Sequence, residues 1–210
     1  ETVFTGTVRV DCVGNEGELT LKQVSIALAA LIIASAPAAA KEYVDLELVI
    51  ATDVSRSIDS DEARLQRQGI AAAFRSKQVI DAIRSGVLQR IAVAYIDYSS
   101  RDWNKLLIDW QIIRDRDSAY AFADALLKAP LTFGRRTSIS DALEQSRDLI
   151  DKNDIEGTRR VIDVSGDGPN NFGRVVDTVR DETIARQITI NGLPIINERS
   201  SVFSRYNLPD

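Results

Sequence analysis

From residue 43 onward, short apolar runs rich in β-branched residues alternate with segments whose apolar residues recur at helical spacing, and few folds can use that alternation. The runs are YVDLELVIAT (43–52), RIAVAYIDY (90–98), NKLLIDWQII (104–113), RRVIDVS (159–165) and QITINGLPI (187–195). Between them lie SDEARLQRQGIAAAFR (60–75), a shorter segment over 118–128, SISDALEQSRDLI (138–150), and a stretch in which Phe172, Val176, Val179 and Thr183 recur. The first group reads as strands and the second as helices. This order predicts an α/β, doubly wound, mostly parallel sheet with helices on both faces. The link between 98 and 104 is too short for a crossover, so the pair it joins is expected to add one antiparallel edge strand. Asp59 is placed to cap the first helix, with Glu62 closing a capping box. Leu65, Gly69 and Ala72 are expected on its sheet-facing side. Ile139, Ala142, Leu143, Ser146, Leu149 and Ile150 mark one stripe of the helix over 138–150.

Several kinds of chemistry are excluded by what is missing. The 210 residues contain no His and one Cys, so a Ser-His-Asp triad, a Cys-His pair and any His- or Cys-based zinc site are out of reach. Any resident metal must be a hard cation held by oxygens. The formal net charge of -5, with no cluster of Lys and Arg, argues against a sequence-independent grip on nucleic acid.

The front of the chain reads differently. Residues 22–40, KQVSIALAALIIASAPAAA, run from Lys22 through an apolar stretch to Ala38, Ala39 and Ala40, the order of a cleaved export signal. The apolar part is short of the ~20 residues a membrane-spanning helix needs. A periplasmic or secreted location, with no membrane span after cleavage, is the expectation. Residues 1–21 read as an upstream segment outside the native protein. The alternative is a hairpin, since TVFTGTVRV alternates and GNEG can turn.

In a parallel sheet, ligands bind beyond the carboxyl ends of the strands. Three loops are expected there: DVSRS with Asp53, Ser55 and Ser57; RRTSIS with Thr137; and SGDGPNN with Asp167. Two carboxylates and three hydroxyls make a plausible oxygen shell for Mg2+ or Mn2+. An extended loop would turn Ser55 and Ser57 to the same side, and Gly166 and Gly168 would let the backbone fold tightly around Asp167. Two carboxylates leave a divalent cation open to a further acid from outside.

Asp-x-Ser-x-Ser, a Thr ahead of a helix, and Asp-Gly after a later strand together resemble the metal-ion-dependent adhesion site of von Willebrand factor type A domains. More narrowly, VDLELVIATDVSRSIDSDEARLQRQGIAAAFR, GRRTSISDAL, RRVIDVSGDGPNN and ITINGLPI are similar to the bacterial exported family called domain of unknown function 1194. The resemblance covers about residues 43–196. It implies a non-enzymatic binding module in which Ser55, Ser57 and Thr137 contact the metal by hydroxyl, and Asp53 and Asp167 directly or through water. The partner it implies is a protein with an exposed Asp or Glu. Two departures stand out: Arg56 occupies a position where the family pattern usually has Gly, and the chain reaches Asp210 without the final strand and helix of the type A fold, so 41–210 reads as a C-terminally truncated domain.

Plainer readings exist for the same residues. Asp53 and the serines could cap the helix that follows, and Thr137 or Ser138 could cap the next. Asp163 reads as a partner for Arg159 or Arg160, RDRD (114–117) as a solvated turn, and Trp103 and Trp110 as packing at the edge hairpin. The enzymatic alternative is a magnesium-dependent phosphohydrolase with Asp53 as nucleophile. Ser55 stands where such enzymes usually carry a second acid, and no Lys is placed to order a phosphate.

Overall fold

The computed structural model describes residues 41–195. The first run, β1 (Glu42–Asp53), becomes the central strand, where both edges are paired and its second half is buried on both faces. It is joined by β2 (Ile91–Tyr98), β3 (Lys105–Ile113), β4 (Ile155–Gly166) and β5 (Ile188–Pro194) in the order β3-β2-β1-β4-β5. All neighbours are parallel except β2 and β3, so the antiparallel edge strand lies where the short link required it.

Helices cover the two faces. α1 (Ser60–Arg75), α2 (Lys77–Arg84) and α3 (Arg116–Lys128) pack on one, where Phe74, Ile83, Phe122 and Leu126 meet Ile50, Val93, Tyr95 and Ile113. α4 (Ile139–Asp151) and α5 (Val176–Ile184) pack on the other, where Leu143, Ile150 and Val179 meet Val49, Ala51, Ile96, Ile162 and Val164. No helix among the described residues is long and apolar enough to cross a membrane.

Several local expectations are corrected. The Asp59 capping box forms, with Glu62 bonding back to the Asp59 backbone, but the buried face of α1 is Ala63, Arg67, Ala71 and Phe74. Leu65 is 68% exposed, and Gly69 and Ala72 also face solvent. The reason is Arg67: reading only small and apolar residues misses a face whose centre is an arginine. That guanidinium is buried because it donates to Asp97 Oδ2 (2.7 Å) and to the Ala129 carbonyl (2.7 Å). α2 was not anticipated. Ser76 ends α1 and starts α2, its hydroxyl donating to the Ala73 carbonyl while accepting from the Val79 N–H.

Asp163 pairs with neither arginine. It accepts from Asn191 Nδ2 (2.7 Å), its register partner on β5. Arg160 lies on the opposite face of the strand, and Arg159 is roughly 13 Å away along it. Within 114–117, Asp115 caps α3 through a box with Ser118, and Arg116 already belongs to the helix. Phe172 lies ahead of α5 and is half exposed, while Val179 and Thr183 carry its buried face. Trp110 donates its indole N–H to the Leu149 carbonyl (3.3 Å), and Trp103 sits half exposed in a short helical turn, Arg101–Trp103. The segments 1–21 and 22–40, including Cys12, lie outside the described residues.

Candidate metal centre

Parallel pairing in register brings three strands to a common edge. Asp53 stands opposite Tyr98, and Thr52 stands opposite both Asp97 and Ser165. The loops that leave from there are stitched together by backbone hydrogen bonds. Val54 N–H donates to the Tyr98 carbonyl (2.9 Å), Gly134 N–H to Val54 (2.7 Å), Ser138 N–H to Ser99 (2.6 Å) and Asn171 N–H to Thr137 (2.9 Å).

Within this frame, four of the five expected ligands form one hydrogen-bonded chain. Asp53 is fully buried, and its Oδ1 accepts from the Ser55 N–H (2.7 Å). The Ser55 and Ser57 hydroxyls are 3.2 Å apart, and Ser57 donates to Asp167 Oδ1 (2.7 Å). The serines meet through a turn closed by Ile58 N–H on the Ser55 carbonyl (3.0 Å), not through an extended loop. Thr137 is buried in the adjoining loop and clasped by Asn171, whose Oδ1 accepts from its N–H (3.0 Å). Among the described residues its hydroxyl makes no hydrogen bond to the other four. Ser138, and not Thr137, caps α4, accepting from the Asp141 N–H. Arg56, between the serines, is exposed, so solvent screens its charge.

The electrostatics centre on Asp53. Burial pushes its carboxyl up to about 7, with the charge of Asp167 adding to the shift and the Ser55 N–H and hydroxyl opposing it. Its Oδ2 is buried with no hydrogen-bond partner among the described residues, a costly arrangement for a carboxylate unless something else neutralises it. The space beside that oxygen exists because residue 166 is glycine. A Cβ there would lie 3.0 Å from Asp53 Oδ2 and 2.6 Å from the Tyr98 hydroxyl. Gly168 meets no such constraint. The left-handed backbone position of this loop is Gly173 (φ +86), where a Cβ would press on the Ser138 and Ser140 hydroxyls.

The donor set fits a hard divalent cation. Among the described residues no three acidic side chains converge, so an ion held here would depend on hydroxyls beside Asp53 and Asp167. The set also includes residues the sequence reading passed over. Asn170 accepts from the Ser140 N–H (3.1 Å) and Asn171 holds Thr137, so the two amides after Asp167 fasten the third loop onto α4. Ser99 anchors the second, donating its hydroxyl to the Arg136 carbonyl (2.5 Å). A pair of adjacent amides directly after Asp-Gly-Pro was the one available signal.

The model of the family described as protein of unknown function (DUF1194) matches residues 43–209. The chain belongs to this family. No curated protein matches the sequence significantly. Among solved structures, one similar fold is proximal thread matrix protein 1 of the mussel byssus, solved with a zinc-occupied MIDAS motif. Its TM-score is 0.59 at 15% identity, over 75% of this chain and 39% of that one. Another is the pilus adhesin SpaC of Lactobacillus rhamnosus GG, with a TM-score of 0.54 at 14% identity, over 73% of this chain and 25% of that one. This member of the family thus has a von Willebrand type A-like fold, and it spans well under half the length of either neighbour.

Proposed function

We propose that this chain is an exported, non-enzymatic binding module that holds a divalent cation, Mg2+ or Mn2+, and presents it to an acidic side chain of a protein partner. Asp53, Ser55, Ser57, Thr137 and Asp167 hold the ion. The observation that carries the reading is the buried, partnerless Oδ2 of Asp53, in a cluster otherwise made of Ser55, Ser57 and Asp167. A bound cation supplies a Lewis-acidic position that accepts a carboxylate oxygen from outside. The chain's own part is to hold the oxygens in place through the loop bonds, and to keep Asp53 out of water. Export rests on the signal-like residues 22–40. The zinc-occupied motif of the mussel protein and the adhesin role of the pilus protein point the same way by analogy of fold.

Calorimetry of Mg2+ and Mn2+ binding is the direct test. Wild type is expected to bind at up to millimolar metal and Asp167→Ala to lose most of that heat. Binding unchanged by Asp167→Ala would remove the metal reading and leave the fold. Hydrolysis of a generic phosphoester in Mg2+, abolished by Asp53→Ala, would establish the phosphohydrolase instead.

A further inference from the structure

Two arginines stand beside the candidate centre. Arg135 and Arg136 are exposed and lie between Gly134, whose N–H is bonded to Val54, and Thr137, which is clasped by Asn171. Both therefore stand on the rim of the loop cluster that contains Asp53 and Asp167. The other cations of this rim with described partners are neutralised: Arg101 by Glu144 and Asp141, and Arg174 by Glu144 and Glu182. Arg135 and Arg136 make no ion pair with any described residue.

Arg136 is nonetheless held in place. Its guanidinium lies 4.7 Å from the centre of the Phe172 ring, and its backbone accepts from and donates to the Ser99 hydroxyl. Phe172 belongs to the loop of Asp167, so this stack bridges the second and third loops. Phe133 and Phe172 expose 45% and 41% of their surfaces on the same rim. In a chain of net charge -5, this is a local basic and aromatic patch beside a site that calls for an acid.

We infer that Arg135 and Arg136 form a second anion contact beside the metal position, so that the partner is an acidic polypeptide segment carrying two carboxylates, an inference that rests on the metal reading above. One carboxylate meets the cation, and the other meets the guanidinium pair. An extended peptide advances about 3.3 Å per residue and turns alternate side chains to the same side, so a second acid two residues from the first can face the same rim. Arginine suits this role because its fork can take both oxygens of a carboxylate.

The test uses two fluorescein-labelled, capped octapeptides, one with a single Glu and one with a second Glu two residues on, titrated by anisotropy in Mg2+. Wild type and the Arg135→Gln/Arg136→Gln double variant are compared, with the Mg2+ heat of each measured separately. Wild type is expected to prefer the two-Glu peptide by about three- to tenfold, the range two exposed ion pairs can supply. The preference should fade in 0.5 M salt. The double variant should lose the preference while keeping its Mg2+ heat and its affinity for the single-Glu peptide. A double variant that keeps the preference overturns the inference. So does a sulfated oligosaccharide that binds wild type more tightly than either peptide and depends on the same arginines. Absence of Mg2+ heat in wild type instead counts against the metal reading alone. The same titration in chelator then decides the arginine contact, upheld if the preference disappears in the double variant and overturned if it persists.

Discussion

Asp53→Asn should change how the stability of the metal-free domain depends on pH, and the structure sets the size of the change. The Asp53 carboxyl is fully buried and pushed up from an ordinary 3.8 to about 7, chiefly by desolvation. A carboxyl raised by folding contributes its full stability below its unfolded value and loses it as pH rises through the folded value. A carboxyl moved from 3.8 to about 7 corresponds to about 4 kcal/mol of destabilisation above pH 7, with over half of it developing between about pH 5 and pH 8. Asn cannot ionise and escapes that loss, although its amide replaces an Oδ2 that already lacks a partner. Urea denaturation in chelator at several pH values provides the assay. Relative to wild type, Asp53→Asn should gain about 2–3 kcal/mol between pH 5 and pH 8. Millimolar Mg2+ should then raise the midpoint of wild type at pH 8 and leave that of Asp53→Asn nearly unmoved, because only the ionised carboxylate has a charge for the cation to neutralise. Parallel pH curves for the two proteins would refute the burial argument, and equal Mg2+ shifts would refute its link to a metal.

Three further changes probe the frame around the site. Gly166→Ala places a Cβ against the Tyr98 hydroxyl and Asp53 Oδ2, so it should cost about 1–3 kcal/mol in denaturant unfolding and weaken Mg2+ binding by calorimetry. Asn171→Ala removes the acceptor of the Thr137 N–H; a loss of about 1–2 kcal/mol is expected, with weaker metal binding if Thr137 is a ligand. Arg67→Met leaves the buried Asp97 carboxylate without its countercharge and with Thr132 as the remaining donor to Oδ2. Thermal and urea unfolding should show a loss of about 3–5 kcal/mol, and an Arg67→Met/Asp97→Leu double variant should recover part of it.

The strands, four of the five helices and the layer order were open to sequence reading because each depends on local periodicity and on a link length. YVDLELVIAT ends in the continuous apolar stretch LVIA that suits a strand buried on both faces, and the short link after Tyr98 permits only an antiparallel partner. The capping box at Asp59 was readable for the same reason, being contained within four residues. The motif residues could likewise be placed on loops at one edge, since parallel strands must all end there.

What the linear order could not supply is which side chains meet across elements. Arg67 looks like surface in any window of sequence, and becomes core only because Asp97, thirty residues on and in another strand, is there to receive it. The pairing of Asp163 with Asn191 follows from the register of β4 against β5, not from the nearer arginines. The bond from Ser57 to Asp167 spans 110 residues. Sequence named both groups, but only the fold decides that one donates to the other. The bare Oδ2 of Asp53 is likewise a tertiary fact, made by the absence of a side chain at Gly166 and the burial imposed by two flanking strands. Local patterns determine where oxygens stand along the chain. Packing determines which of them are left without water.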